Sequence, residues 1–356
     1  MSEIHTWRGR LAITGLGAVT PVGLSAAAST AAMRAGISRI GDLPWFLVPD
    51  AAGEMQPATG AEVPIVSGNR QGPARLLRLA EHALREAVNE ARLPRNLRCA
   101  LFIGTAGPNP AGRMLPYAPV LSRELAGVLA GLVGAVKVHL FESGRASALQ
   151  AFRMAAQTLT LENPPDAVMV GGVDSLISPL TLAFLQSSGR LREGRKSTGI
   201  LPGEGAAFLV METPEHAARR GASILAVAEA AAGGMDSTPA DKPNRAVALG
   251  RVLRAVADRV SEPALLIISD LNGERQRAYE WMFASTRAPF YHSTMPHWLP
   301  SESIGDAGAA AGGIDSVWAV TALRRGYAGT SEALVWGASD EGPREAVVFK
   351  RATGAG

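Results

Sequence analysis

An internal echo constrains this chain more than any single motif does. From Ile224 the sequence reads strand (to Ala231), helix (Ala246 to Val260), strand (Ala264 to Ile268), helix (Gln276 to Ala284), strand, helix (Gly308 to Arg325) and strand (Ala333 to Trp336), and this repeats the rhythm of the first half. Alternation of short apolar runs with longer stretches at helical spacing predicts an α/β protein with a parallel-rich sheet covered by helices. In the first half, Leu11 to Gly23 is an apolar strand breaking into a Gly/Pro turn, and Ser25 then caps a helix reaching about Ala35. Leu76, Leu79, Ala80, Ala83, Leu84 and Ala87 recur at helical spacing between Pro73 and Arg92, with charge on the other face. Further strands are expected at Arg98 to Gly104, Val133 to Leu140, Asp166 to Val173 and within Gly199 to Met211, and a further helix at Ser122 to Leu132. Trp45 to Pro73, rich in Pro, Gly and short polar residues, reads as a surface flap.

Composition excludes several functions. With 356 residues, 47% of them hydrophobic and 19% charged, the chain can bury a large core and is too apolar to be disordered. A net charge of +3 leaves no nucleic-acid footprint. The single cysteine, Cys99, can form neither an internal disulfide nor a Cys-rich metal site, and in its strand it reads as a small buried hydrophobe. The N-terminus reaches a strand by Leu11 with no signal-peptide pattern, and no apolar run approaches the ~20 residues of a membrane span, so a cytoplasmic protein is expected. The glycines of Leu11 to Gly23 do not make a dinucleotide loop: Pro21 interrupts them, and no acidic residue ends a second strand about 20 positions later. No cofactor is expected.

The stretch Phe141-Glu-Ser-Gly-Arg-Ala-Ser-Ala-Leu-Gln150 follows a strand, turns sharply and opens a helix. Such a turn suits a nucleophile, which it would present near backbone N–H groups and the positive end of a helix. Four stretches resemble β-ketoacyl synthases of the thiolase superfamily: the N-terminal turn, Asp166 to Leu180, Gly199 to Met211 with its Gly-Glu-Gly-Ala, and Gly305 to Gly326. The resemblance runs from Leu11 to Lys350 and implies a thiolase-like fold of two pseudo-duplicated halves in five layers. These would be 1–215 and 216–356 within one compact unit.

The resemblance also implies where chemistry should sit. Condensing enzymes of this group hold the acyl chain on a Cys and use two His side chains to promote decarboxylation of the malonyl group and steady the oxyanion. A thiolate exchanges thioesters at little cost, and neutral imidazoles donate to developing charge. The Cys position falls within Phe141 to Ala146, which contains no thiol; Glu142, Ser143 and nearby Ser147 are the polar candidates. The first His position matches Asn272 in Ser269-Asp-Leu-Asn-Gly-Glu274. Aligning Ser301 to Ala310 by its glycines places the second at Glu302, while a competing alignment through Met295-Pro-His-Trp offers His297. His216, on a short helix, reads as structural. Gly337 to Phe349 takes the place of the family's gating loop, with its Phe become acidic.

Three functions remain open at this point. The first is a catalytically silent, chain-length-factor-like subunit that forms a homodimer, or a heterodimer with a synthase-like chain. The second is an acyltransferase or thioester hydrolase using Ser143 or Ser147. The third is an adaptor carrying protein cargo on a thiolase-like dimer. The basic run Arg190 to Lys196 is either a solvated loop or a docking patch for an acidic acyl carrier protein.

Overall fold

The computed structural model describes residues 3–50, 52–107, 117–193, 197–238, 244–261 and 265–352. In chain order the elements are β1 (Ile4–Val19), α1 (Ala26–Arg34), β2 (Gly41–Pro49), β3 (Met55–Gly60), α2 (Pro64–Ser67), α3 (Gly72–Ala91), β4 (Cys99–Thr105), α4 (Ala118–Ala130), β5 (Val136–Glu142), α5 (Ser147–Leu159) and β6 (Ala167–Ser175). They continue as α6 (Pro179–Ser187), β7 (Glu204–Glu212), α7 (Pro214–Arg219), β8 (Ala226–Met235), α8 (Val247–Val256), β9 (Leu266–Ser269), α9 (Arg275–Ser285), β10 (His297–Trp298), α10 (Ser301–Ile304), α11 (Ala311–Arg325), β11 (Glu332–Ala338) and β12 (Pro343–Arg351).

Ten of these strands form one mixed sheet in the order β10-β9-β11-β12-β8-β1-β7-β6-β4-β5. Read outward from the β1–β8 junction, each half has the same order: its first strand, then its fifth, fourth, second and third. Pairing is parallel in β5-β4-β6 and β10-β9-β11 and antiparallel elsewhere, so the sheet is less parallel than the alternation suggests. The last two strands of each half cause the difference. A tight turn links β11 to β12, and the segment after α6 returns the chain to enter β7 antiparallel to β6.

Helix sequences fit their layers. Residues 312–323 of α11 are all buried and mostly small or apolar, with Asp315, Ser316 and Thr321 enclosed among them. α11 and α5 lie between the two sheet halves and contact strands of both. α3 is one-sided: Leu76, Leu79, Ala83 and Ala87 face β1, β6 and β7, while Glu81 and Arg85 pair on its open side. Helix α8 and Trp281 of α9 cover the outer face of the second half. Helices thus pack on both faces of the ten-stranded sheet.

Two local features depart from the sequence reading. Trp45 to Pro73 is no flap: β2 and β3 pair as a hairpin whose Leu43, Val48 and Ala58 pack with Leu182 and Leu185 of α6. Pro44, Pro49 and Pro57 disguise it, and a register shift between Leu43 and Leu47 breaks its alternation. The glycine-rich part of Leu11 to Gly23 remains strand, and the turn comes only after Val19. Gly17 admits α3: a Cβ there would lie 1.9 Å from the Ala83 carbonyl oxygen. Gly17→Ala should therefore push α3 off the sheet and lower stability by about 1–3 kcal/mol, read from the urea midpoint.

Candidate functional site

Five separate segments bring charged side chains to one place: the turn Ser143–Ala146 after β5, Arg190 after α6, the stretch Asp270–Glu274 after β9, the stretch Gly305–Gly308 before α11, and the turn Ser339–Gly342 joining β11 to β12. The chain can turn after β5 because Gly144 has φ 69°, in the left-handed region that glycine tolerates. The next residue, Arg145, points into the protein and is 8% exposed.

Arg145 is the centre of the arrangement. Its Nε and Nη2 donate to Asp306 Oδ2 at 2.9 and 2.6 Å, and its Nη1 lies 3.2 Å from Asp340 Oδ2. Asn272 Nδ2 donates to Asp306 Oδ2 at 2.7 Å and to Glu274 Oε2 at 3.1 Å. Arg190 grips Glu274 through two parallel bonds of 2.7 and 2.8 Å and reaches Asp340 Oδ2 at 2.8 Å. Arg277 Nη2 donates to Asp270 Oδ2 at 2.7 Å.

Electrostatics fixes the protonation states. Burial alone would discharge Arg145, but Asp306 and Asp340 outweigh it and hold the guanidinium charged well above its ordinary range. Burial likewise opposes ionisation of Asp306, and Arg145 with the Asn272 amide overcomes it, keeping this carboxyl below the usual carboxylate range. The Ala146 N–H, a donor such a turn could aim at an oxyanion, is already bonded to Ser339 Oγ at 2.8 Å. Little space remains. A cavity of about 10 Å³ adjoins Asp270, Asn272, Asp306 and Asp315, and one of about 90 Å³ lies between Arg145, Phe184, Arg190 and Asp340.

Of the residues singled out from the sequence, Asn272 belongs to this cluster. Glu302 lies exposed on α10. Glu142 is exposed at the end of β5, and the half-buried Ser143 donates its hydroxyl to Gln150 Oε1 at 2.5 Å. Ser147 is fully buried, and its hydroxyl has no hydrogen-bond partner among the described residues. His297 sits on β10 against Trp281 and Trp336, bonded to Ser269 Oγ at 2.7 Å, and burial pushes its pKa down to about 4. His216 bonds Glu212, as a structural histidine would. His82 bonds the Leu24 carbonyl, His139 stacks on Phe102, and His5 and His292 are exposed, so no histidine bonds to the Arg145–Asp306 pair. Cys99 is buried in β4, where burial and then Asp166 and Glu212 push the thiol up to about 12. Among the described residues no group of side chains could hold a metal ion. Arg190 is tied into the cluster, and residues 194–196 of its basic run lie outside the described residues.

The sequence reading missed Arg145, Asp306 and Asp340 as a unit. Arg145 lies inside the window assigned to the thiol, and Asp306 stands four residues after Glu302, in Gly305-Asp-Ala-Gly308. Complementary charges in stretches that otherwise read as buried were the available signal.

Comparisons agree with this fold. Residues 8–217 match the family model for the β-ketoacyl synthase N-terminal domain, and the chain belongs to that family. No curated protein matches its sequence. Among solved structures, it resembles a chain of a type II PKS acyl-carrier protein in complex with its ketosynthase bound to the hexaketide, at TM-score 0.81 and 19% identity, covering 98% of this chain and 100% of that one. The ishigamide ketosynthase/chain length factor gives TM-score 0.78 at 19% identity over 98% and 100% of the two chains. The ketosynthase from module 6 of the Bacillus subtilis 168 bacillaene synthase gives 0.78 at 14% identity over 97% and 72%. At these identities the likeness is one of fold.

Two predictions follow from the buried charges. Arg145→Ala leaves Asp306 buried without its cation and should cost about 3–5 kcal/mol in urea unfolding, whereas replacing both by apolar residues should recover most of that loss. Asp315, 1% exposed on α11, has its carboxyl pushed well above the usual range by burial, with Asp270 adding to the effect. Its neutral form favours the fold fully below the ordinary Asp range near 4, and that stability is lost as pH rises towards the raised folded value. Asp315→Asn, which cannot titrate, should therefore lose less stability than wild type between pH 5 and 9 in parallel denaturation series (pH limits about these).

Proposed function

We propose that this chain is a synthase-like subunit without condensing activity that serves as the non-catalytic partner of a second synthase-type chain in fatty acid or polyketide-type synthesis. The observation that carries this reading is the buried Arg145–Asp306 pair. We assign Arg145 the place of the acyl-accepting thiol, Asn272 that of the first imidazole, and Asp306, in preference to Glu302, that of the second. A charged guanidinium is no nucleophile, and an ionised carboxylate raises the energy of a nascent enolate beside it. Asn272 has two amide protons, and Asp306 and Glu274 take both. An acyltransferase or hydrolase built on Ser143 or Ser147 has no observation in its favour, since neither hydroxyl meets a histidine. The shared strand order and the helices on both faces of the sheet support reading 1–215 and 216–356 as duplicated halves of a five-layered thiolase-like unit.

Pairing is assigned to β5. It forms one end of the ten-stranded sheet, and its outer edge offers unpaired backbone groups flanked by half-buried Val136, Val138, Leu140 and Phe141. Such an edge is a template for a strand from another chain. The relatives described as a ketosynthase/chain length factor and as a ketosynthase with its acyl-carrier protein support a synthase-type partner and a carrier as occasional visitor.

Intact-mass spectrometry after incubation with acyl and malonyl carrier protein should show neither an acyl adduct on this chain nor an extended product. An adduct or an extended acyl chain formed by the purified protein alone overturns the reading. In the assembled protein, β5 amides should exchange with deuterium slowly along the whole strand; fast exchange there in an assembled species removes β5 as the contact.

A further inference from the structure

The three arginines of the cluster share one habit. Arg145 gives its Nε and Nη2 to Asp306, Arg190 gives the same two nitrogens to Glu274, and Arg277 gives its Nη2 to Asp270. Each guanidinium is thus oriented and neutralised by a carboxylate of its own. One Nη1 of each then faces a single carboxylate, Asp340, at 3.2 Å from Arg145, 2.8 Å from Arg190 and 3.8 Å from Arg277, whose Nε is also left without a partner among the described residues. Asp340 is the fourth acid against three cations, an anion beyond one-for-one pairing.

Its setting differs from that of the acids below it. The Asp340 side chain is 40% exposed, while those of Asp306 and Glu274 are nearly sealed. It stands on the β11–β12 turn, whose backbone is held independently by Ser339 N–H to Pro343 O and Gly342 N–H to Ser339 O. The carboxylate can leave by rotation of a side chain, with those backbone bonds intact. Asp340 and Arg190 also line two spaces at once. One is a groove of about 510 Å³ that includes Tyr279, Phe283 and Arg344; the other is a smaller, inner cavity of about 90 Å³ lined by Leu176, Phe184 and Leu185 and by the carboxylates of Asp174 and Glu341. The inner space has the volume of about three waters, and on its Leu176, Phe184 and Leu185 side it offers apolar contact to a short hydrocarbon chain.

We propose that the three Nη1 groups form a preorganised carboxylate receptor, occupied in this state by the chain's own Asp340, and that a short-chain carboxylic acid entering from the groove exchanges with Asp340 and lays its hydrocarbon tail in the inner cavity. The exchange is noncovalent and leaves the charge at the three Nη1 donors unchanged, one carboxylate replacing another there, while Asp340 carries its own charge out into the groove. Guanidinium forks held rigid by their own acids lose little freedom on taking a ligand. Asp340 then acts as an internal competitor, so affinity for the outside acid is reduced by the fraction of time that Asp340 holds the site. This receptor does not depend on the pairing or the catalytic silence proposed above, and a failure of either leaves the other standing.

Isothermal titration of the full chain with butyrate, and separately with inorganic phosphate, tests the assignment. Asp340→Ala and Asp340→Asn should bind butyrate at least about ten-fold more tightly than wild type, because the competitor is gone. Adding Arg190→Gln to Asp340→Ala should return binding to the wild-type level. Asp340→Asn keeps the side-chain volume and stands in if the alanine variant does not fold. Folded Asp340 variants that bind butyrate no better than wild type overturn the receptor. An equal gain for phosphate overturns the carboxylate-with-tail assignment.

Discussion

A guanidinium sealed inside a protein is tolerable only if its charge is answered at close range, and in this molecule that requirement falls on Arg145. Removing such a group from water costs several kcal/mol, and Asp306 at 2.6 Å, itself bonded by Asn272, supplies the compensation. The consequence is architectural. Arg145 comes from the turn after β5, Asn272 from the segment after β9, Asp306 from the lead into α11 and Asp340 from the β11–β12 turn, so one cation fixes four segments from both halves of the sheet. The donors and acceptors of this cluster are largely spent on one another.

The frame does not need that site. The central layer is hydrocarbon: Phe152 of α5, Val317 and Trp318 of α11, and the inward residues of strands from both halves, Val170, Ile268, Val335 and Phe349 among them. Further buried pairs, Arg153 with Glu345 and Arg75 with Glu204, lie away from the Arg145 cluster and satisfy their own charges. Catalytic chemistry and fold thus rest on different residues, and the strand ends can change while the layers persist.

Much of the fold was legible because periodicity reports burial. The helix caps at Ser25, the one-sided pattern of α3 and the unbroken apolar run of β6 each state locally what the packed structure demands. The antiparallel course of β7 was not legible, because direction depends on where the preceding segment re-enters the sheet. The β2–β3 hairpin was hidden by prolines that its exposed position tolerates. At the site, the absence of a thiol from Phe141 to Ala146 could be read directly, while the charged cluster that gathers there could not. Asp306 acquires meaning only from Arg145, 161 residues earlier, and no local pattern joins the two. Glu302, chosen by glycine spacing, turns outward on the single turn of α10, whereas Asp306 lies beyond the left-handed Gly305 that redirects the chain inward.

β1 lies between the halves, with β7 on one side and β8 on the other. Its Thr14 hydroxyl donates to Glu212, a residue 198 positions later. The pairing of β1 is thus completed only by segments far along the chain, and until they are made the strand remains an unpaired apolar segment. Contacts of such long sequence separation slow folding and lengthen exposure of sticky surface.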